Sequence, residues 1–499
     1  MDIDTYEDDV AQIQTLPAVI PKRPLSIPVD ESHPFDPEAY ISGYSGKSYV
    51  DRLVHVMNVC PELAPQALPL ATKEALKGRD TGLYKSAFNA YERAATEMSK
   101  RQEEGLPEAS SIVAMDTKWI EETNSKNQAE RTKLEVELKT YTSNMIKESI
   151  RMAHRDLGDF FRSTGDQAAS LKHYTKSREF CTTSQHVLDM CMSVLELLME
   201  QRSYSHIGTY VFKAEAALDS VTSLKVTAGP EAPAGSAQAN KEQRKAERSK
   251  VSSKLEVATA ISCLGQGNYD KAALTFLKVG TPKSMEEWFG KLIAPGDLAI
   301  YATMCALATF TRGAIRAQIL DNDNFGLYIE QEPYVRELIE AYLTNRFKTM
   351  LDLLERYSTR HYADVHLCAH VPALANLIRS KALVQYFQPF ASIRLERMSV
   401  AFGWTVEDLE RQVVSLIQSG EIKGRVDRQN KILRAKETDQ RAALFAKAIK
   451  SGREMQATNR KLLLRMRLQQ ADLIVKAPKG QPTFSGMMHP TEMLSGDYY

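Results

Sequence analysis

Three stretches of this chain hold residue types at spacings that chemistry uses. His366 and His370 stand four apart, as two zinc ligands on one helical face would, with His361 and Cys368 beside them. The run HLCAH lacks the glutamate that a helical zinc hydrolase uses as general base, and no clear third ligand is offered, so a structural histidine pair is the better account. Gly46-Lys47-Ser48 has the ending of a phosphate-binding loop. The glycine required five residues before Gly46 is Ile41, however, and no strand precedes it, so the triplet reads as a helix start. Gly265-Gln266-Gly267 lacks a third glycine and flanking strands, and reads as a turn between repeat helices rather than a dinucleotide site. Cys60, Cys181, Cys191, Cys263, Cys305 and Cys368 form no CxxC pair and lie mostly in apolar, helical contexts, as free thiols of a reducing compartment do; that points to cytosol or nucleus. The expectation is no catalytic residue, no metal site and no cofactor.

What these residues sit on is a long, charge-balanced chain. Its 499 residues allow about three domains. Lys and Arg total 64 against 63 acidic residues, so no global field attracts nucleic acid or an anionic membrane. The longest uncharged apolar run, Leu298 to Phe310, is too short for a bilayer, which needs about 20 residues; it reads as a buried repeat helix. Met1 to Val10 holds five acidic residues with no apolar core after it, which does not resemble a secretory signal. Residues 1–37 carry six prolines and an acidic start, so disorder is expected there, with order from about Asp36. Val50, Leu53, Val54 and Met57 then mark an amphipathic helix that Cys60-Pro61 ends.

Alignment on Gly82, Gly165 and Gly267 reveals a repeat. Five residues on stand Ala87, Ser170 and Ala272; nine on, Tyr91, Tyr174 and Phe276; twelve on, Ala94, Ser177 and Val279. This is the second half of a tetratricopeptide-type helix pair, in which glycine permits the turn, the small residue lets helices approach and the aromatic fills the groove between them. Leu157-Gly158 and Phe161 belong to the first helix of the middle repeat. Such repeats stack into an arc with a concave surface. Residues 222–251 turn abruptly to small and charged types, a flexible insertion in which 241–250 could form a short basic helix; Glu242 and Glu247 make a solvated face the better account of its charge than nucleic-acid binding or nuclear import.

The most informative segment is 378–440. Met398, Ala401 and Phe402 share one helical face; Gly403-Trp404 interrupts it, and Thr405 caps a second helix with Leu409, Val413, Leu416 and Ile417 inward. Ser419-Gly420 stops that helix. Ile422, Gly424 and Val426 alternate with Lys423, Arg425 and Asp427, a turn follows at Arg428-Gln429-Asn430, and Lys431 to Arg434 returns as a second strand. That order is a winged helix. Beyond it, 438–475 reads as one long helix with Phe445, Ile449, Met455, Leu462, Met466 and Leu473 near heptad spacing, a stripe that needs a partner. Residues 476–499 lack periodicity and read as a mobile, disordered tail.

Residues 330–440 resemble a PCI domain, the helical-repeat and winged-helix module of the proteasome lid, the constitutive photomorphogenesis (COP) signalosome and a translation initiation factor. FDPEAYISGYSGKSYVDRL from Phe35, Cys60-Pro61, AHRDLGDFF from Ala153, SKALVQYFQPF from Ser380, GRVDRQNKILRAKETDQR from Gly424 and KLLLRMRLQ from Lys461 resemble, more closely, the signalosome subunit 1 family. The likeness spans roughly residues 35–476 and departs at 222–251 and both termini. It implies a mainly α fold: a TPR-like helical-repeat solenoid (38–221, then 252–377), a PCI winged helix (378–437) and a C-terminal bundle helix (438–475). It further implies a non-catalytic scaffold of the complex that removes a ubiquitin-like modifier from cullin-RING ligases, found in cytoplasm and nucleus. Its partners would be other PCI subunits and the MPN subunits, with cullin-RING ligases reached through the complex and no membrane. Contacts would come from the wing, through Ile422, Arg425, Val426, Ile432 and Leu433, and from the long helix, through Phe445, Ile449, Leu462, Met466 and Leu473. The family's zinc chemistry belongs to a subunit type with a His-x-His pair, which none of the 10 histidines here forms. Two alternatives remain: the paralogous proteasome-lid subunit, and a nucleic-acid-binding wing using Lys423, Arg425, Arg428, Lys431 and Arg434. Glu407, Asp408 and Glu410 on the would-be recognition helix argue against the second.

Overall fold

The computed structural model describes residues 27, 29–100, 106–226, 234–436 and 440–473. Helices form where apolar residues recur at helical spacing. Val50, Leu53, Val56 and Met57 line the buried side of the Gly46–Val59 helix, and the Cys60 N–H closes on Val56 O at 2.7 Å before Pro61 starts a short turn. The ordered chain starts earlier than the sequence suggests. Ile27 is buried and donates its N–H to Val59 O at 3.1 Å, because an apolar side chain among the prolines has a pocket to fill. Asp36 does cap the Pro37–Ile41 helix, accepting from the Glu38 N–H at 2.9 Å. Residues 1–26 lie outside the described residues.

The positions five, nine and twelve residues after the aligned glycines are all buried: Ala87, Ser170 and Ala272 at 0% exposure, with Tyr91, Tyr174, Phe276, Ala94, Ser177 and Val279 around them. The close approach expected of the small residue is real. Ser170 Oγ donates to Gly158 O at 2.8 Å, and a Cβ on Gly158 would meet the Tyr174 ring at 2.5 Å. Gly165 and Gly267 hold left-handed turns at φ +88° and +77°, which glycine adopts at least cost. Gly82 differs, since it lies in the first turn of the Thr81–Lys100 helix.

The expected insertion at 222–251 is largely helical. Tyr204–Val226 runs into it from one side, and Ala234–Gly265 is a single helix that takes up the remainder; residues 227–233 are outside the described set. Small and charged residues are compatible with helix when few prolines or glycines interrupt them. The apolar run 298–310 lies in the Pro295–Thr309 helix, buried from Gly296 to Ala308. Among the described residues, no helix is long and apolar enough to cross a membrane.

The chain then passes through Pro333–Leu343, Phe347–Arg356 and Val371–Phe387 into the winged helix. Leu395–Phe402 ends at Gly403, whose φ is +70°, and Thr405 caps Val406–Gln418 by accepting from the Asp408 N–H at 3.2 Å. The strands are β1 (Ser392–Arg394), β2 (Gly424–Asp427) and β3 (Ile432–Ala435), in the order β1-β3-β2. The sequence reading has only the last two. β1 runs antiparallel to β3 with Ser392, Ile393 and Arg394 opposite Arg434, Leu433 and Ile432, which supplies the third strand that a lone hairpin needs.

Contacts divide the chain into one unit through Arg434 and a second from Ala435. The second comprises, in its described part, Ala435, Lys436 and the helix Gln440–Gln470 with residues to 473.

Candidate functional site: a buried polar hub and two open surfaces

The histidine cluster is a packing device. Tyr334 Oη lies 3.0 Å from His361 Nε2, Tyr204 Oη 2.8 Å from His366 Nδ1, and Tyr269 Oη 3.1 Å from His370 Nδ1, each tyrosine coming from a different helix. Burial depresses His361 to about 3 and His366 to about 4, so both rings are neutral at pH 7. Cys368 is also buried, and burial raises its thiol to about 11, which removes thiolate character. Among the described residues no group of three or more His, Cys, Asp or Glu is placed to hold a metal ion.

Between these histidines runs a charge network that sequence reading missed. Arg52, its side chain 3% exposed, meets Asp364 at 2.7 Å and Asp297 at 3.4 Å. Arg360 meets the same Asp297 at 2.7 Å and Glu332 at 3.3 Å. Tyr301 donates to Asp364 at 2.6 Å, Tyr44 donates to Asp297, and the His366 and Leu367 N–H groups each reach Asp364 at 2.9 Å. Burial pushes the Asp364 carboxyl up; Arg52, His366 and the Tyr301 hydrogen bond outweigh it and hold the group well below the ordinary carboxylate range. Three segments far apart in sequence, near 52, 297 and 364, are thereby fastened at one point. The clue in the sequence is a charge on an apolar face: Arg52 between Val50 and Leu53, and Asp297 just before the longest apolar run. These groups are paired and enclosed, which suits fastening rather than acid–base catalysis.

The phosphate-loop mimic is equally committed. The Gly46 N–H donates to Glu74 Oε1 at 3.2 Å, where a phosphate would be repelled, Ser48 Oγ donates to Lys291 O, and Lys47 lies 3.6 Å from Glu200. At the other glycine pair, Gly265 packs on the Tyr204 ring, where a Cβ would come within 2.2 Å, and Gln266 Nε2 donates to Tyr204 O at 3.2 Å.

The wing residues separate into two sets. Leu433, 0% exposed, and Ile422, 3% exposed, are built into the chain's own core, where their alternation serves the winged helix itself. Ile432 is half-buried on the central strand; Val426, half-buried, and Arg425, exposed, lie on β2, whose far edge is open. Two basic residues of the nucleic-acid alternative are tied down by Glu410 of the preceding helix, at 2.7 Å from Lys431 and 3.5 Å from Arg428. On the C-terminal helix, Phe445, Ile449, Leu462, Met466 and Leu473 are all exposed, from 39% at Ile449 to 69% at Phe445.

Comparison with known proteins decides the family. The families described as 26S proteasome subunit RPN7 and PCI domain match residues 116–318 and 335–437. COP9 signalosome complex subunit 1 of Arabidopsis thaliana is 33% identical over 444 residues, covering 88% of this chain and 91% of the relative. The chain belongs to the COP9 signalosome subunit 1 family. Subunit 1b of Drosophila melanogaster, another member, is 31% identical over 90% of this chain and 88% of its own length. The 26S proteasome non-ATPase regulatory subunit 6 homolog of Arabidopsis thaliana is more distant, at 19% over 69% of this chain and 81% of its own length. The subunit 1 likeness thus spans both the repeats and the winged helix, which is the order of parts described above.

Proposed function

We propose that the chain is a non-catalytic scaffold subunit of the COP9 signalosome, organising the complex that removes a ubiquitin-like modifier from cullin-RING ubiquitin ligases. The observation that carries the reading is the contrast between an interior fastened by the ion pairs of Arg52 and Arg360 and two surfaces that are unfinished in the single chain: the open edge of β2 and the exposed apolar stripe of the C-terminal helix. An open strand edge fits strand addition from a neighbouring PCI subunit. An exposed stripe on a long helix fits a bundle shared with further subunits, the MPN subunits among them. The repeat region is left for regulatory contacts. The chain works in cytoplasm and nucleus and reaches cullin-RING ligases only through the complex. Modifier removal is supplied by another subunit, since no histidine pair of the kind the zinc chemistry needs occurs here.

The proteasome-lid reading is disfavoured by the difference between 33% and 19% identity to the two groups of relatives. Affinity purification of the tagged chain from its own cells, followed by mass spectrometry, tests the choice. Co-purification of signalosome PCI and MPN subunits with cullins is expected. Recovery of proteasome-lid subunits in their place would overturn the proposal.

A further inference from the structure

The C-terminal helix carries a second pattern beside its apolar stripe. Gln440–Gln470 contains eight Lys or Arg and one acidic residue, Glu454, a net of +7 in a chain whose total is +1, so the remainder of the chain is at −6. Arg453, Arg460 and Arg467 recur at intervals of seven. Phe445, Gly452, Asn459, Met466 and Leu473 recur at the same interval, with Met455 and Leu462 three residues after Gly452 and Asn459. On a helix this places the three arginines in one row, about 100° round from the Phe445–Met466 row, on the side that Ile449 and Leu463 widen. All three are exposed and, among the described residues, none of their side chains has an ion pair or hydrogen bond, whereas Glu454 reaches Lys450 at 4.0 Å.

We propose that the helix is matched to an acidic amphipathic helix of another protein, whose carboxylates recur every seven residues opposite Arg453, Arg460 and Arg467. This rests on the reading of the helix as part of a shared bundle and adds the chemical identity of its neighbour. Asn459, in line with Phe445 and Met466, calls for a polar side chain across the interface and so fixes the register, the role of a polar residue on a helical seam. Basic amphipathic helices also bind anionic bilayers. A bilayer would leave the Asn459 amide in hydrocarbon without a partner and gives no reason for an interval of seven, so the observations favour a helix.

Two synthetic helical peptides with one leucine stripe, bearing Glu in one case and Lys in the other at the flanking heptad positions, test this against the full-length chain by fluorescence anisotropy. Vesicles of phosphatidylserine and phosphatidylcholine form a third arm. The Glu peptide is expected to bind at least about tenfold more tightly than the Lys peptide, the order that three exposed ion pairs supply, and the advantage should shrink in 0.5 M salt. The exposed triple variant R453E/R460E/R467E, with unchanged helical content, should reverse the preference. Equal binding of the two peptides, an unaffected triple variant, or stronger binding to the vesicles than to the Glu peptide would each overturn the proposal. Incorporation into the complex separates the two layers. If the triple variant assembles normally while truncation after Lys436 does not, the bundle stands and the acidic partner is wrong; if the truncated chain also assembles normally, the bundle itself fails.

Discussion

At the scale of single residues, Arg52 is where the chain concentrates its electrostatic commitment. It joins Asp364 and Asp297 in the interior, and removing one member of such a cluster leaves buried charge without its partner. Arg52→Met is expected to destabilise the protein by about 3–5 kcal/mol, read as a loss in the midpoint and free energy of urea unfolding; a change as small as that of an exposed lysine would refute the hub. The histidines predict the pH dependence. His55, His361 and His366 are held by burial at about 4, 3 and 4, below an ordinary value of 6.5. As pH falls below 6.5, the unfolded chain takes up protons that the folded chain refuses, so stability declines toward pH 4. His154, lowered by burial to about 4, and His173 and His370, also lowered by burial, add to this loss; Asp51, raised by burial to about 6, and Asp80, Glu256 and Glu332, also raised by burial, work in the opposite direction, four groups against six. Asp364, held low, adds its own loss only in the carboxylate range and below. The thermal midpoint should therefore drop between pH 7 and pH 5, and His361→Gln with His366→Asn, which preserve partners for Tyr334 and Tyr204, should flatten that drop. A slope unchanged by the double variant would assign the pH response elsewhere.

At the scale of elements, the open edge of β2 is the feature that matters. N–H groups alternate in direction along a strand, so of Arg425 and Val426 one faces β3 and the other faces outward. Proline placed at each in turn separates the two roles. The variant that keeps the thermal midpoint close to wild type, having lost only an outward N–H, is expected to lose pull-down of the adjoining PCI subunit. Retained pull-down would remove strand addition as the mode of contact. Much of this was legible in the sequence. Alternation, the Thr405 cap and the Gly403 and Gly420 stops are local signals, and Ala87, Ser170 and Ala272 declare the repeat by spacing alone. What stayed hidden depends on partners distant in the chain. β1 is three residues long and becomes a strand only because Arg434 and Ile432 lie opposite Ser392 and Arg394. The three tyrosines that meet the histidines come from 27 to 162 residues away. The burial of Ile422 and Leu433 in the chain's own core is hidden for a related reason: alternation says that a face is covered, and not whether the cover belongs to the same chain.

At the scale of the whole molecule, the two units differ in how finished they are. The first, through Arg434, has an extensive buried apolar core, with single large apolar side chains such as Met145, Phe212 and Val400 exposed, and pairs the charges in its hub. The described part of the second is a helix with its apolar residues in water, and each large side chain of that kind forfeits about 1.5–3 kcal/mol relative to burial. A free chain has little to hold this helix rigid, and an assembled one would cover it. Hydrogen exchange over 440–473, compared between the isolated chain and the assembled complex, measures this directly. The account predicts fast exchange in the isolated chain and strong protection in the complex, with the hub segments around Arg52, Asp297 and Asp364 protected in both. Equal, strong protection of 440–473 in the two states would contradict it, because the helix would then be stabilised by its own chain.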